Sequence, residues 1–449
     1  MPSHHQPPSL SKDGAVTEDQ SHDAASPDGP VDGIQGGALG GLLVADFGRV
    51  LAGPYATMLL ADLGAEVIKI ERPGLGDETR DWGPPWSNGQ ATYFQSVNRN
   101  KQSVAADLRT GEGLAVARDL AERADVLVEN FRPGVMARLG LDYESLRQAN
   151  PRLVYCSISG FGSGDGAALP GYDLLVQAMG GLMSLTGDPE GEPTKVGVAL
   201  LDVITGLHAV AGVLAAVRHA ERTGQGQQVE VNLLSSLLSA LANQAQGYVG
   251  AGVVPGRMGN RHPSISPYET FPAKDRLLVL AVGNDKQFAT LCEVLEVPEA
   301  ASDPRFVTNT QRVAHREALS KILAQQLRTR PASHWFRVLM AQGVPCGPIN
   351  SVAEGFALAA QLGLTPVVEM PAGEPVTGEQ SAKSGDNPSG TGATVATVAN
   401  PIRLSRTPAT YRNAPPRLGQ DARQGFGSTA QAGSARSLNA SPFAPGSSS

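Results

Sequence analysis

The sequence predicts an α/β fold in which a large domain on a parallel sheet is followed by a smaller α+β domain. Two observations predict it. Short apolar runs alternate with helical patterns from about residue 42 to residue 160, and strand, helix, strand in that rhythm folds as right-handed βαβ units. After Gly259 the texture changes to one strand followed by three helical patterns.

Leu42–Phe47 is an apolar run suited to a buried strand. Pro54 stands where a helix begins, Tyr55 to Leu63 continues it, and Gly64 closes it. Further strands are expected at Glu66–Ile70, Ser103–Leu108, Asp125–Phe131 and Leu153–Ser159, with a helix at Gly113–Arg123. Long helical patterns follow at Leu207–Arg222 and Leu233–Tyr248. The smaller domain reads as a strand at Leu277–Val282 and helices at Lys286–Leu295, Arg316–Leu327 and Ala332–Gln342. The resulting division is a disordered tail over 1–38, a large domain over 39–235, a linker over 236–261 and a small domain over 262–352. A segment over 353–426, carrying a polar insertion near 373–392, returns to the large domain through Pro401–Gln420, and 427–449 is a second disordered tail.

Of 449 residues, 41% are hydrophobic and 18% charged, enough for a sizeable core. The formal net charge of −7 disfavours nonspecific nucleic-acid binding. Three scattered cysteines, Cys156, Cys292 and Cys346, suggest neither a zinc site nor a disulfide framework, and a reducing cytoplasm is expected. No apolar secretory region opens the chain. The longest apolar stretch, Val196–Val217, contains Asp202 and His208, which argues for a buried segment over a membrane span.

In parallel sheets ligands bind beyond the carboxyl ends of the strands. Arg72, Arg109 and Arg132 stand at three such ends, with Arg138 just beyond. As a set they suit a polyphosphate, since guanidinium forks match phosphate oxygens; each alone also reads as a solvated charge. Asp202 is a carboxylate in an apolar run, Val196-Gly-Val-Ala-Leu-Leu-Asp202-Val-Ile-Thr. Two compatible readings stand: an N-cap of the following helix, or a nucleophile kept ionised by the helix dipole. Tyr172-Asp173 is a second candidate pair, with Asp173 also an N-cap candidate, and His208 reads as a core histidine. Gly160-Phe-Gly162-Ser-Gly164-Asp-Gly166 follows a strand, but Pro170 interrupts the helix a dinucleotide motif needs, so the run reads as a loop of close backbone approach.

Ordered motifs carry a resemblance. They are Ala52-Gly-Pro54, Leu63-Gly-Ala-Glu-Val-Ile-Lys-Ile-Glu-Arg-Pro73, Asn98-Arg-Asn-Lys101, Asp125-Val-Leu-Val-Glu-Asn-Phe-Arg-Pro-Gly134, Gly171-Tyr-Asp173, Val344-Pro-Cys-Gly-Pro348 and Pro415-Pro-Arg-Leu-Gly419. From about Leu42 to Gly419 the sequence resembles the class III CoA-transferases (CaiB/BaiF), which include formyl-CoA, carnitine-CoA and dicarboxylate CoA-transferases. The resemblance implies a Rossmann-like large domain, two chains threaded as an interlocked-ring homodimer, and acyl-CoA with small carboxylic acids as substrates, without a resident cofactor or metal. It makes Asp202 the nucleophile, passing through an aspartyl anhydride and an aspartyl-CoA thioester. It places CoA contacts at Leu51, Ala52, Arg72, Ala106, Asp107, Leu108, Arg109, Asn130, Phe131, Arg132, Arg138, Tyr172 and Asp173.

The segment Gly259-Asn-Arg-His-Pro-Ser-Ile-Ser-Pro-Tyr268 lacks the glycine run of formyl-CoA transferases and looks more like members that use succinyl-CoA or other dicarboxylates. Arg261 and His262 either face the acceptor carboxylate or only shape a hinge. Two rival functions are a 2-methylacyl-CoA racemase and a noncatalytic CoA-binding subunit. Racemases resemble this sequence but carry histidine where Tyr172 stands and a glycine-rich run where Val203-Ile-Thr follows Asp202; the intact Asp202 argues against the noncatalytic subunit.

Overall fold

The computed structural model describes residues 36–372 and 394–421. The chain opens with β1 (Leu43–Phe47), α1 (Ala52–Asp62) and β2 (Glu66–Glu71). A hairpin of β3 (Trp86–Ser87) and β4 (Gln90–Ala91), then the short α2 (Thr92–Ser96), precede β5 (Lys101–Ala105). Next come α3 (Gly111–Arg123), β6 (Val126–Glu129), α4 (Val135–Arg138), α5 (Tyr143–Leu146) and β7 (Val154–Ser159). Finally α6 (Asp173–Met179), α7 (Leu182–Leu185) and the long α8 (Leu200–Thr223) lead to β8 (Gln228–Asn232).

These strands form one six-stranded parallel sheet in the order β5-β2-β1-β6-β7-β8. The chain winds outward from β1 through β2 to β5, then returns to β6 on the other side of β1. The crevice beyond β1 and β6 is therefore the topological switch point, where open α/β sheets hold ligands. Helices α1 and α8 cover one face over Val44, Leu59, Val128 and Val213, while α3 covers the other over Phe47, Ile70, Leu120 and Leu127. Each such buried apolar side chain contributes about 1.5–3 kcal/mol. Close approach of α8 to α1 depends on Gly206, where a Cβ would stand 2.8 Å from the Ala52 carbonyl oxygen.

Past the sheet, α9 (Leu233–Ala240) and α10 (Ala242–Ala251) replace the single helix expected over Leu233–Tyr248; the axis breaks where Ala242 adopts φ +43°. A second, antiparallel sheet pairs β9 (Tyr268–Pro272), β10 (Leu277–Ala281) and β11 (Cys346–Pro348). Around it lie α11 (Asp285–Val294), α12 (Pro298–Ser302), α13 (Asn309–Ala314), α14 (Arg316–Leu327) and α15 (Ala332–Ala341), on a core of Phe271, Leu280, Phe288, Leu319 and Leu339. The chain continues through α16 (Val352–Gln361) and the antiparallel pair β12 (Val367–Pro371) and β13 (Thr394–Val398). It then runs back along edge strand β5. There Asp421 accepts the Ser103 N–H at 2.8 Å, and Arg412 donates to the carbonyls of Ala61 and Ala65 at 2.9 Å.

Other expectations shift. The strand expected at Ser103–Leu108 lies at Lys101–Ala105, because Lys101 is paired inside the fold and Asp107 starts a turn. Helix α8 begins at Leu200 rather than Leu207, and β8 is an addition, its alternating polar residues hiding an edge strand. Most of the tail 1–38, the insertion near 373–392 and the tail 427–449 fall outside the described residues.

Candidate functional site

The switch-point crevice is walled by the loop from Gly48 to Leu51, which joins β1 to α1. Side chains hold its backbone at every step. Asp46 accepts the Gly48 N–H at 2.8 Å, Lys69 donates to the Gly48 carbonyl at 2.5 Å, and Asp77 accepts the Val50 N–H at 3.3 Å. Asn130 grips Arg49 twice, accepting its N–H at 2.8 Å and donating to its carbonyl at 2.7 Å. The loop is strained as well as held, because Val50 has φ +66°, a conformation costly for a β-branched residue. Leu51 then packs with Tyr93, Ala199 and Val203 in a small apolar cluster.

Val203 and Ala199 flank Asp202, which lies in the first turn of α8 and is partly buried. Asp202 is not the N-cap. That position belongs to Ala199, whose side chain caps nothing. The missing cap comes from another helix: Asp173, at the start of α6, accepts the N–H of Leu201 at 2.8 Å and that of Asp202 at 3.3 Å. Asp173 thus caps α8, not its own helix, and this is why α8 starts so early. Gln177 donates to Asp173 and accepts the Val196 N–H at 2.9 Å, fastening the approach to α8. Burial, with the Asp173 charge adding to it, pushes Asp202 up to about 7; the helix dipole does not keep it fully ionised. The half-buried phenol of Tyr93 faces the same charges: burial, then Asp202 and Asp173, push it up to about 12.

The expected contact residues divide into groups. Leu51, Ala52 and Asp173 gather around the start of α8, and Tyr172, 66% exposed, adjoins them. Ala106, Asp107, Leu108 and Arg109 form the turn after β5, where Arg109 pairs with Asp107 at 2.8 Å. Hydrogen bonds from Arg109 hold Asp107 down near 2, and the charge of Arg72 acts in the same direction, so Arg72 stands at the same rim. Phe131 lies under the Arg49 guanidinium at 5.7 Å. Arg72, Arg132 and Arg138 are exposed and carry no ion pair or side-chain hydrogen bond among the described residues. The side chain of Asn130 is engaged with Arg49, so it shapes the loop.

Gly160 packs on Gly171, where an added Cβ would meet the facing Cα at 2.3 Å, the close backbone approach expected of the glycine loop. That contact carries the chain to Tyr172 and Asp173. His208 is not a core histidine; it is exposed and bonds Ser236 at 3.0 Å. The Arg261 guanidinium pairs with Glu269 and Glu317, and the His262 ring meets the Tyr268 ring at a 60° tilt, so both brace this segment against β9 and α14. No group of three or more His, Cys, Asp and Glu able to hold a metal occurs among the described residues. A cleft of about 200 Å³ opens beyond β6, β7 and β8, lined by Glu129, Arg132, Ser157 and Glu230, and neither Asp173 nor Asp202 reaches it. Sequence reasoning missed Tyr93 as well as Asp46, Lys69, Asp77 and Lys101. Asp46 and Lys69 left a signal, since charged residues inside otherwise apolar strands require partners.

A parallel sheet with exposed arginines on its rim, unpaired among the described residues, and two neighbouring acidic residues beside the switch point suits an α/β enzyme that takes an anionic substrate. The chain belongs to CoA-transferase family III, whose model matches residues 39–422, and it is a CoA-transferase. It is 43% identical over 391 residues to the succinate–glutarate CoA-transferase of Agrobacterium fabrum, covering 85% of this chain and 93% of the relative. It is 45% identical over 332 residues to the acetyl-CoA:oxalate CoA-transferase of Acetobacter aceti, covering 74% and 83%. A crystal structure of a CaiB/BaiF family protein from Brucella suis superposes with a TM-score of 0.72 at 41% identity, covering 87% of this chain and 98% of that one.

Proposed function

We propose that Asp202 is the nucleophile that moves CoA from a dicarboxylic acyl-CoA, succinyl-CoA being the first candidate, to a second dicarboxylic acid such as glutarate. One observation carries this reading: Asp202 is a partly buried carboxylate raised to about 7 beside Asp173. A carboxylate of raised basicity is a better nucleophile, and at neutral pH about half of it is ionised.

An Asp202 oxygen attacks the thioester carbonyl carbon. The C–S bond breaks, and CoA leaves as thiolate with the electron pair, giving a mixed anhydride. The thiolate attacks the Asp202 carboxyl carbon, the anhydride C–O bond breaks, and the donor acid leaves as its carboxylate. Asp202 is now a CoA thioester. The acceptor carboxylate attacks that carbon and expels the thiolate, which then attacks the acceptor carbonyl and frees Asp202. Arg72, Arg109, Arg132 and Arg138 hold CoA phosphates, and backbone N–H groups near the glycine loop meet the oxyanions. The steps need no resident cofactor.

A homodimer of interlocked chains fits the apolar surface. Helix α8 has the length and composition of a membrane span, yet it carries Asp202 and His208 and packs on α1. Beyond it Val249 and Val254 are each 78% exposed. A second copy is the cover we assign to this surface. Unpaired thiols at Cys156, Cys292 and Cys346 support a cytoplasmic setting. The division at about 235 and 262 into a large and a small domain completes the reading, supported by the separate cores of the two sheets.

The test is exchange between succinyl-CoA and glutarate or oxalate, read by mass spectrometry of the acyl-CoA products. Glutaryl-CoA formation, lost in Asp202→Asn, supports the reading. Exchange that survives Asp202→Asn defeats the nucleophile. Product from oxalate but none from glutarate defeats the acceptor.

A further inference from the structure

We propose that Lys101 is a positioning residue for this reaction: its ammonium, sealed among Asp46, Asn98 and Pro54, fixes the β1–α1 loop as a rigid wall facing Asp202. The proposal rests on the reading of Asp202 as the nucleophile.

Lys101 has no exposed side-chain surface, nor does Asp46. Its three N–H donors are all used, on Asp46 at 2.9 Å, Asn98 at 2.9 Å and the Pro54 carbonyl at 2.8 Å. Pro54 lies in the first turn of α1, so Lys101 ties that turn to strand β5 across the sheet. Asp46 extends the tie in two directions, accepting the Gly48 N–H and the Thr57 hydroxyl, each at 2.8 Å. Beside this pair lies a second one, Lys69 with Asp77 at 3.0 Å, which grips Gly48 and Val50.

The two cations and two anions balance. Removing one of them leaves a partner charged and unpaired in a dry place. A few apolar side chains would hold a loop without the desolvation cost of this cluster. What the cluster secures is the backbone from Gly48 to Val50, including the positive φ of Val50. One residue later Leu51 packs with Ala199, Val203 and Tyr93 around Asp202, and Ala52 meets α8 at Gly206. A wall held this firmly keeps the attacking oxygen and the thioester in line. A displacement of about 1 Å at such a site costs on the order of 100-fold in rate.

The experiment compares Lys101→Met with the double variant Lys101→Met/Asp46→Asn, using succinyl-CoA and glutarate. The double variant leaves no unpaired charge in this pair, and the introduced side-chain amide keeps an acceptor for the Gly48 N–H, so it carries the test if the single variant does not fold. The expected result for the folded double variant is a kcat lower by about 100-fold, a succinyl-CoA KM within about threefold of wild type, and a melting temperature restored toward wild type. A purely structural role predicts that kcat returns together with the melting temperature, and that result overturns the proposal. So does a rise in KM with kcat unchanged. Asp202→Asn, run alongside, separates the two ideas: if it still transfers CoA, the nucleophile reading fails; if it is dead while the double variant keeps its kcat, only Lys101 is misassigned.

Discussion

The backbone N–H of Asp202 points at the carboxylate of Asp173, 3.3 Å away, and that carboxylate also accepts the N–H of Leu201 at 2.8 Å. One side chain therefore does two jobs: it caps the helix that carries Asp202, the proposed nucleophile, and its charge adds to the effect of burial in raising the basicity of that carboxylate.

Activity should follow the ionisation of Asp202. Because Asp202 sits at about 7, kcat is expected to rise about tenfold per pH unit below that value and to level off above it. Asp173→Asn keeps an oxygen for the Leu201 N–H but removes the charge. The acid limb of a pH–kcat profile should move to lower pH in this variant; no movement contradicts the assigned coupling.

Stability should move the opposite way. The folded value of Asp202 lies above its ordinary 3.8, so the folded chain holds a proton that the unfolded chain has lost across that window. Stability from this group falls as pH rises from 3.8 to about 7 and stays lost above it. Asp202→Asn is expected to raise the melting temperature at pH 8 by about 2–4 °C, and the gain should vanish near pH 4. Calorimetry at both pH values checks it.

The rim arginines should act on binding alone. Arg72→Ala or Arg132→Ala is expected to raise the acyl-CoA KM about tenfold, with kcat nearly unchanged and a weaker salt dependence of KM. Arg109→Ala should cost less, because Asp107 already neutralises that guanidinium. Steady-state kinetics at two salt concentrations measures this.

Gly160→Ala should be severe. Its Cβ would meet a backbone Cα of Gly171 at 2.3 Å, and backbone cannot swing aside as a flexible side chain can. Loss of soluble protein, or a kcat loss of about 100-fold through displaced Asp173, is expected. A wild-type melting temperature and kcat would contradict the contact.

Much of this is legible in the residues. Apolar runs at Leu43–Phe47 and Val126–Glu129 declare the parallel strands because both faces of such strands are buried. Arginines just past strand ends mark the rim. Asp202 stands out as a charge in an apolar run. What stays hidden is long-range. The cap on α8 comes from Asp173, 29 residues before Asp202, and no local window contains both. Strand β8 is polar at alternate positions, as suits an edge strand. The clasp on Gly48–Val50 joins residues from β1, β2, β5 and the loop after β6, and only the folded sheet brings them together.

The most direct measurement is mass spectrometry of Asp202 after hydroxylamine quenching of the enzyme during turnover with acyl-CoA. The account predicts a hydroxamate on Asp202, formed only when acyl-CoA is present and absent from Asp202→Asn. An unmodified Asp202 peptide from enzyme that is actively transferring CoA would contradict it.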